Sequence, residues 1–178
     1  MSRAFLAVVL IMAAFSLGCT GVPKGLQPVG GFEPERYMGK WYEIARLDHR
    51  FERGLTDVSA TYKLRDDGAV KVFNRGYDPE GGKWRGIEGV ARFRGDPSVG
   101  SLKVTFFWPF YGGYHVIALD REGYGWAMVT GPSRGYLWIL SRTRQLAPSV
   151  LDGLVQQAAD WGFATDELIF VDQTRPDG

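Results

Sequence analysis

The stretch GPSRG at residues 131–135 matches G-x-S-x-G, the pattern that presents a nucleophilic serine in many hydrolases. That chemistry requires Ser133 to stand on a tight turn between a strand and a helix. The residues that follow, YLWILSR, alternate in polarity and predict another strand instead. We therefore interpret residues 131–135 as a polar hairpin loop.

The other residue types that could carry chemistry are sparse. His49 and His115 are the two histidines, and their spacing matches no zinc motif, so each is predicted to be a surface or mouth histidine. The carboxylates at 66–67 and 78–80 have a turn-forming reason to be there, which leaves Glu43 and Glu88 as carboxylates on predicted strands. No glycine-rich phosphate loop is present in the sequence. We therefore expect no catalytic residue, no metal and no cofactor.

The first eighteen residues differ from the rest of the chain. A basic start, MSR, precedes the apolar run AFLAVVLIMAAF and small residues, which is typical of a secretory signal peptide. The run is short for a membrane-spanning helix, and an uncleaved anchor is the alternative. The single cysteine, Cys19, follows Ser16, Leu17 and Gly18, which resembles a bacterial lipobox with its leucine one place late. We predict that residues 1–18 are removed and that Cys19 is lipidated rather than a free thiol.

Charge excludes one class of partner. The chain carries 21 basic and 20 acidic residues without a long basic run, so nucleic acid is not an expected partner. Removal of residues 1–18 takes Arg3 away and leaves the two signs equal. Retention at a membrane would then depend on acyl chains, several of which give stable anchoring.

Short alternating runs separated by turn signals dominate the rest of the chain. A glycine- and proline-rich segment, 19–33, predicts a flexible tether, and PERY predicts a helical turn. Strands are predicted at 40–48, 55–65, 69–77, 83–94, 101–107, 114–120, 125–131 and 135–142, with an aromatic loop at 108–113. Helical spacing over 150–161, with Ser149 as N-cap and Gly162 as stop, precedes a short strand at 166–171.

Eight consecutive antiparallel strands predict an all-β domain over residues 34–172, followed by a tail at 173–178. An open sheet would leave two aggregation-prone edges, and closure into an up-and-down barrel removes them. The predicted inward faces carry small residues such as Ala60, Gly89 and Ala91, which leave volume for an apolar guest. The predicted cavity residues are Val58, Ala60, Tyr62, Phe93, Leu102, Val104, Phe106, Val116, Ala118 and Trp138. A structural barrel filled by its aromatic side chains is the alternative.

Three short motifs carry a family resemblance. Gly39-Lys40-Trp41 resembles the Gly-x-Trp signature that opens the lipocalin barrel, and Leu140-Ser141-Arg142 resembles the third lipocalin signature. Leu119-Asp120-Arg121 stands where the second signature commonly has Thr-Asp-Tyr. Longer stretches, including KWYEIARLDHRFERG, resemble the outer-membrane bacterial lipocalins, relatives of apolipoprotein D. The resemblance implies that Trp41 closes the narrow end of the barrel, that Arg142 lies over its indole, and that Gly39 admits the close approach.

The resemblance also implies a direction for the barrel. If Trp41 marks the closed end, the HRFERG, DPEGGKW, WPFYGG and GPSRGY loops surround an open mouth. The predicted mouth residues are His49, Arg50, Phe51, Arg53, Trp84, Trp108, Phe110 and Tyr111. An apolar interior with a basic rim suits an amphiphile with an acidic head, such as a fatty acid or a lysophospholipid. We expect a carrier anchored through Cys19 to the periplasmic face of the bacterial outer membrane, with an enzyme acting on lipids as the alternative and a homodimer left open.

Overall fold

The computed structural model describes residues 20–176. The predicted signal peptide and Cys19 lie outside the described residues. Within residues 20–176 one antiparallel sheet contains all the named strands. They are β1 (Gly39–Arg46), β2 (Thr56–Leu64), β3 (Val70–Asp78), β4 (Lys83–Phe93), β5 (Ser101–Phe107), β6 (Phe110–Leu119), β7 (Trp126–Thr130), β8 (Leu137–Ser141) and β9 (Ile169–Phe170).

The sheet closes on itself through β1. Each of β2 to β7 pairs with the next strand in sequence, and β1 pairs with both β8 and β2. The predicted eight-stranded up-and-down barrel is therefore confirmed. The first half of β1 pairs with β2, as in Trp41 opposite Ala60. After a register shift between Glu43 and Ala45, the second half pairs with β9, which covers an edge that would otherwise be open.

One predicted strand begins earlier than expected. The stretch 108–113 was expected to be an aromatic loop, but β6 already starts at Phe110. Phe107 and Phe110 pair with each other, so only Trp108 and Pro109 connect β5 to β6. The β5–β6 hairpin is therefore long and carries its aromatic residues at the tip.

Two helices flank the barrel. α1 (Pro34–Tyr37) precedes β1, and α2 (Pro148–Asp160) follows β8, with a 3₁₀ turn at Thr165–Glu167. The expected N-cap at Ser149 is wrong, because α2 starts at Pro148 and the capping position is Ala147, which makes no side-chain cap. Proline suits the first helical position since its missing N–H has no partner there. Gly162, just past α2, has φ +80° and ends the helix as predicted. No helix between residues 20 and 176 combines the length and apolarity of a membrane span.

Apolar side chains form two separate clusters on the two faces of the barrel wall. The inner cluster contains Trp41, Val72 and Leu140. The outer cluster packs Leu154 and Ala158 of α2 against the wall. This division follows from the alternation of side chains along each strand.

The described part of the predicted flexible tether is packed, which corrects that expectation. Leu26, Val29 and Phe32 are buried. The Val29 amide donates to the Val116 carbonyl at 2.8 Å, and the Gly100 amide donates to the Val29 carbonyl at 2.9 Å. Apolar residues at every third position hold residues 20–33 against the barrel in spite of their glycines and prolines.

Candidate functional site

A cavity of about 120 Å³ lies inside the barrel. Its wall is predominantly apolar and includes the half-buried side chains of Phe93 and Phe106. The barrel topology sets its two ends, because the β1–β2, β3–β4, β5–β6 and β7–β8 connections lie at the end away from Trp41. The cavity can therefore take an apolar group that enters past those four loops.

The closed end is sealed by Trp41, which is fully buried. The Arg142 guanidinium carbon lies 3.9 Å from the indole centroid, and the Trp41 indole N–H donates to the Tyr37 carbonyl at 2.8 Å. Gly39 has φ +93°, and a Cβ there would lie 3.3 Å from Arg142 Nη1. This position therefore requires glycine for both its backbone conformation and its space.

Three tyrosine hydroxyls form a polar patch in the cavity wall near the closed end. Tyr114 Oη lies 2.7 Å from Tyr37 Oη and 2.9 Å from Tyr62 Oη. Burial raises the pKa of each phenol, so all three remain protonated near neutral pH. Two oxygen–oxygen contacts use two of the three protons, which leaves one hydroxyl able to donate to an acceptor in the cavity.

Charged groups also reach the cavity wall. Glu43 and Glu52 both line it, and Arg46 pairs with Glu43 at 2.7 Å. Burial raises the pKa of Glu43 well above its ordinary value, and the negative charge of Glu52 acts in the same direction. Burial also acts to raise the pKa of Glu52, but the contact with His49 and the Trp138 indole N–H, at 3.1 Å, outweigh it and lower the net pKa.

The mouth carries several exposed aromatic side chains. Phe51 in the β1–β2 loop and Phe107, Trp108 and Phe110 at the β5–β6 tip are all exposed. A polar groove also lies between the β1–β2 and β3–β4 loops. Its lining combines both signs of charge: Arg50, Arg53, Asp78, Glu80 and Arg85.

A lipocalin-like domain model matches residues 32–173. The chain belongs to the lipocalin family. It is 49% identical to the outer membrane lipoprotein Blc of Vibrio cholerae serotype O1, over 94% of this chain and 98% of that protein. It is 34% identical to apolipoprotein D of Macaca fascicularis, over 79% of this chain and 75% of that protein. Insecticyanin from the tobacco hornworm Manduca sexta has the same fold, with a TM-score of 0.68 and 22% identity over 86% of this chain and 87% of that chain.

The second lipocalin signature keeps its capping aspartate, Asp120, although the residues on either side of it differ from the common Thr and Tyr. The Asp120 carboxylate accepts hydrogen bonds from the amides of Gly125 at 3.0 Å and Gly123 at 3.1 Å. These backbone donors, Gly125 first, lower the pKa of Asp120. The turn between β6 and β7 is thus capped with Leu119 and Arg121 in place of the common residues.

Two of the predicted cavity residues do not line the cavity of this lipocalin. Val116 belongs to the inner cluster but packs against Gly100 and is not part of the cavity wall. Ala118 packs in the outer cluster under α2. A register shift between Val116 and Ala118 reverses the alternation there, which the sequence pattern does not reveal. The other predicted residues do line it: Val58, Ala60, Tyr62, Phe93, Leu102, Val104, Phe106 and Trp138.

The predicted mouth residues divide into three groups. Arg50 and Phe51 lie at the mouth groove, as does Arg53, which pairs with Asp48 at 2.7 Å. Trp108 and Phe110 occupy the β5–β6 tip, and Tyr111 lies under Lys103, whose Nζ is 4.9 Å from the ring centroid.

His49, in the β1–β2 loop, and Trp84, at the start of β4, also lie at the mouth end, but neither side chain is exposed there. His49 is buried, with Nε2 3.0 Å from Glu52 Oε2. Trp84 pairs with Tyr77 on the outer wall, and Arg75 Cζ lies 4.1 Å from its ring centroid. The alternation along β3 sets this face, because Val72 and Asn74 point to the cavity.

The other candidates for chemistry lie away from the cavity. Ser133 Oγ accepts from the Gly135 amide at 3.4 Å, and Glu88 pairs with Lys71 at 2.9 Å on an exposed surface. His115 is fully buried rather than exposed, between Ser101 Oγ at 3.0 Å and the Gly21 carbonyl at 2.9 Å. Among residues 20–176, no group of three or more His, Cys, Asp and Glu could hold a metal ion.

Sequence reasoning missed the polar part of the cavity wall. Tyr37 and Tyr114 were not predicted to line it, nor was Glu52. The spacing of Glu43 and Arg46, three residues apart in an apolar strand, was the one available signal of a buried pair. The tyrosine cluster leaves no such signal, since its members come from three distant segments.

Proposed function

We propose that this lipocalin is an outer-membrane lipoprotein, anchored through Cys19 and facing the periplasm, that carries single-chain amphiphiles in its barrel. The observation that supports it is an apolar cavity closed at one end by Trp41 and reached from the other. The relatives named outer membrane lipoprotein Blc support the location. The predicted signal peptide and lipobox agree with that location.

The cavity volume sets a condition on the ligand. A cavity of about 150 Å³ accepts a benzene molecule, and this one has about 120 Å³. A long acyl chain therefore requires Phe93 and Phe106, both half-buried, to rotate away. Each methylene that enters contributes about 0.8 kcal/mol before ordering costs.

The groove at the mouth favours a lysophospholipid over a fatty acid. Three arginines and two acidic residues line it, so both charges of a zwitterionic head find a partner. Asp78 is already paired with Arg85, and Arg53 with Asp48. Glu80 is therefore the groove carboxylate that could meet the ammonium of such a head. A carboxylate head alone would approach the negative charge of Glu80 without a matching positive group of its own. The apolar cavity then supplies affinity, and the groove supplies head-group choice.

Native mass spectrometry of the protein purified from membranes tests the proposal directly, through the mass of any co-purified lipid. Displacement of a fluorescent fatty acid by lysophosphatidylethanolamine and by palmitate then compares the affinities for a zwitterionic and a carboxylate head group. Ala60→Trp fills the cavity and is expected to weaken binding about tenfold or more, since it removes room for the tail. Thr61→Trp, the next residue on the exposed face, is the matched control and should bind normally.

Two results would contradict the proposal. A wild-type protein that takes up neither lipid would favour a filled structural barrel. Hydrolysis of a lipid ester that disappears in Ser133→Ala or Glu88→Gln would favour an enzyme.

A further inference from the structure

The tip of the β5–β6 hairpin is an unusual surface feature. Trp108 is 81% exposed, Phe110 77% and Phe107 64%. These three residues, called here the aromatic tip, project at the mouth end of the barrel, where the hairpin turns. Exposed aromatic clusters of this kind mark interaction surfaces, and tryptophan favours the boundary between lipid and water.

The start of the described chain lies close to the aromatic tip. A Cβ added to Gly113 would lie 3.2 Å from the carbonyl carbon of Thr20, and His115 holds the Gly21 carbonyl at 2.9 Å. Gly113 is three residues from Phe110 along β6, which corresponds to about 10 Å. Thr20 therefore lies on the outer wall of β6, near the mouth rather than near the closed end.

Residues 20–33 hold this position through contacts along their length. Arg134 donates to the Lys24 carbonyl at 2.9 Å, and Arg134 belongs to the β7–β8 loop, also at the mouth. Further along, Val29 pairs with Val116 and Gly100. The segment thus begins near the mouth and ends near the closed end, with Leu26, Val29 and Phe32 buried along it. It fixes where the chain leaves the barrel.

Cys19 directly precedes Thr20 in the sequence. Acyl chains on Cys19 would therefore enter a membrane on the same side of the barrel as the aromatic tip. Lys103 and Arg50, which lie near the mouth on β5 and in the β1–β2 loop, supply positive charge that favours anionic head groups.

We propose that the aromatic tip inserts into the same lipid leaflet that holds the acyl chains of Cys19, so that the cavity mouth faces the bilayer. This inference rests on the lipidation of Cys19 in the proposed function. It gives the carrier a fixed orientation, in which an amphiphile passes between leaflet and cavity without crossing the aqueous phase. The occupant of the aromatic tip is a lipid surface rather than a second protein.

The test uses the full lipidated protein in vesicles of phosphatidylethanolamine and phosphatidylglycerol, with and without bromine on the acyl chains. Bromine quenches tryptophan fluorescence at short range, and the chain has six tryptophans. We expect Trp108→Phe to reduce the bromine-dependent quenching about threefold, because the Trp108 indole lies at lipid depth. Trp126→Phe, a half-buried residue at the start of β7 near the closed end, is the matched control and should leave the quenching unchanged.

Phe110→Ser provides a second variant with Trp108 intact. It should also reduce the quenching, since the aromatic tip loses an apolar anchor. Both changed residues are exposed, so the melting temperature should stay at the wild-type value.

Different failures are distinguishable in this experiment. If the wild-type protein does not float with the vesicles, Cys19 does not anchor it to lipid, and both proposals are overturned. A protein that floats but shows the same quenching in wild type and Trp108→Phe overturns the membrane-facing tip alone. Self-association in solution that disappears in Trp108→Phe would assign the aromatic tip to a second copy, and would also overturn it.

Discussion

The guanidinium of Arg142 lies over the indole of Trp41, with 3.9 Å between Cζ and the ring centroid. The same guanidinium donates to the Lys40 carbonyl at 2.9 Å and to the Arg36 carbonyl at 2.7 Å. One side chain, which follows β8, therefore joins α1 to the start of β1. This contact closes the barrel and sets the floor of the cavity.

Arg142→Met should destabilise the fold by about 2–4 kcal/mol, because the cation–π contact disappears and backbone carbonyls lose their donor. Urea unfolding measures the change. Arg144→Met is the control, since Arg144 Cζ lies 4.8 Å from the Tyr42 ring and a smaller loss is expected. Equal losses in the two variants would show that Arg142 has no special role.

Trp41→Ala should also lower the free energy of unfolding, because the fully buried indole is lost, while the choice of ligand persists. Thermal unfolding and lipid-binding measurements check the two parts of this prediction.

Gly39→Ala should cost about 1–3 kcal/mol, because a residue with a Cβ is strained at positive φ and because the added atom approaches Arg142 Nη1. Thermal unfolding gives the value. Gly95→Ala, at a turn with open space around it, is the matched control and should change stability by less than about 0.5 kcal/mol. A Gly39→Ala protein as stable as wild type would contradict the steric account.

Arg46→Met should destabilise the protein by about 3–5 kcal/mol, because Glu43 is left buried without its partner. Arg46 is 1% exposed and Glu43 3% exposed, so solvent cannot replace the lost contact. Glu43→Gln should cost much less, because glutamine resembles the protonated acid that the raised pKa favours. Denaturant unfolding at neutral pH compares the two, and a larger loss in Glu43→Gln would refute the assignment.

The same carboxyl predicts a pH dependence. A pKa that is raised on folding stabilises the fold below the unfolded value, and this contribution is lost as pH rises through the folded value. Stability of the wild type relative to Glu43→Gln should therefore fall as pH rises above about 4.5. Unfolding at a series of pH values checks the sign.

The titration of His115 predicts that the packing of residues 20–33 against the barrel weakens as pH falls, which is opposite in sign to the effect of Glu43. Burial lowers its pKa from the usual value of 6.5, and Arg94 adds to this effect. The neutral imidazole is favoured in the fold, so its contribution is complete above the unfolded pKa and is lost as pH falls below it. The protection factors of the Leu26 and Val29 amides, which remove the intrinsic pH dependence of hydrogen exchange, should fall below about pH 6.5 in the wild type. His115→Gln cannot titrate and should show no such change.

Several elements of the fold could be predicted from local patterns. Alternation along 101–107 identifies β5, and the period of 150–161 identifies α2 apart from its first turn. These signals are local because side-chain alternation and turn chemistry depend on neighbours in sequence. The closure of the barrel by Trp41 and Arg142 was implied instead by the resemblance of their motifs to lipocalin signatures.

Other features could not be predicted, and each has a specific reason. Ala118 does not line the cavity, because a register shift between Val116 and Ala118 reverses the alternation of side chains along β6. Residues 20–33 have the composition of a linker, and contacts with residues distant in sequence, such as Val116, Gly100 and Arg134, hold them in place. Trp84 lies on the outer wall, since the pairing with Tyr77 sets its face.

The sequence by itself determined the class of the barrel and, through its resemblance to lipocalin signatures, the family and the residues that close the narrow end. The tertiary structure decided the volume of the cavity, the charges and hydroxyls in its wall, and the position of Thr20 beside the aromatic tip. The reason is physical: a strand's pattern is written in adjacent residues, whereas free volume and burial depend on how segments distant in sequence pack against each other.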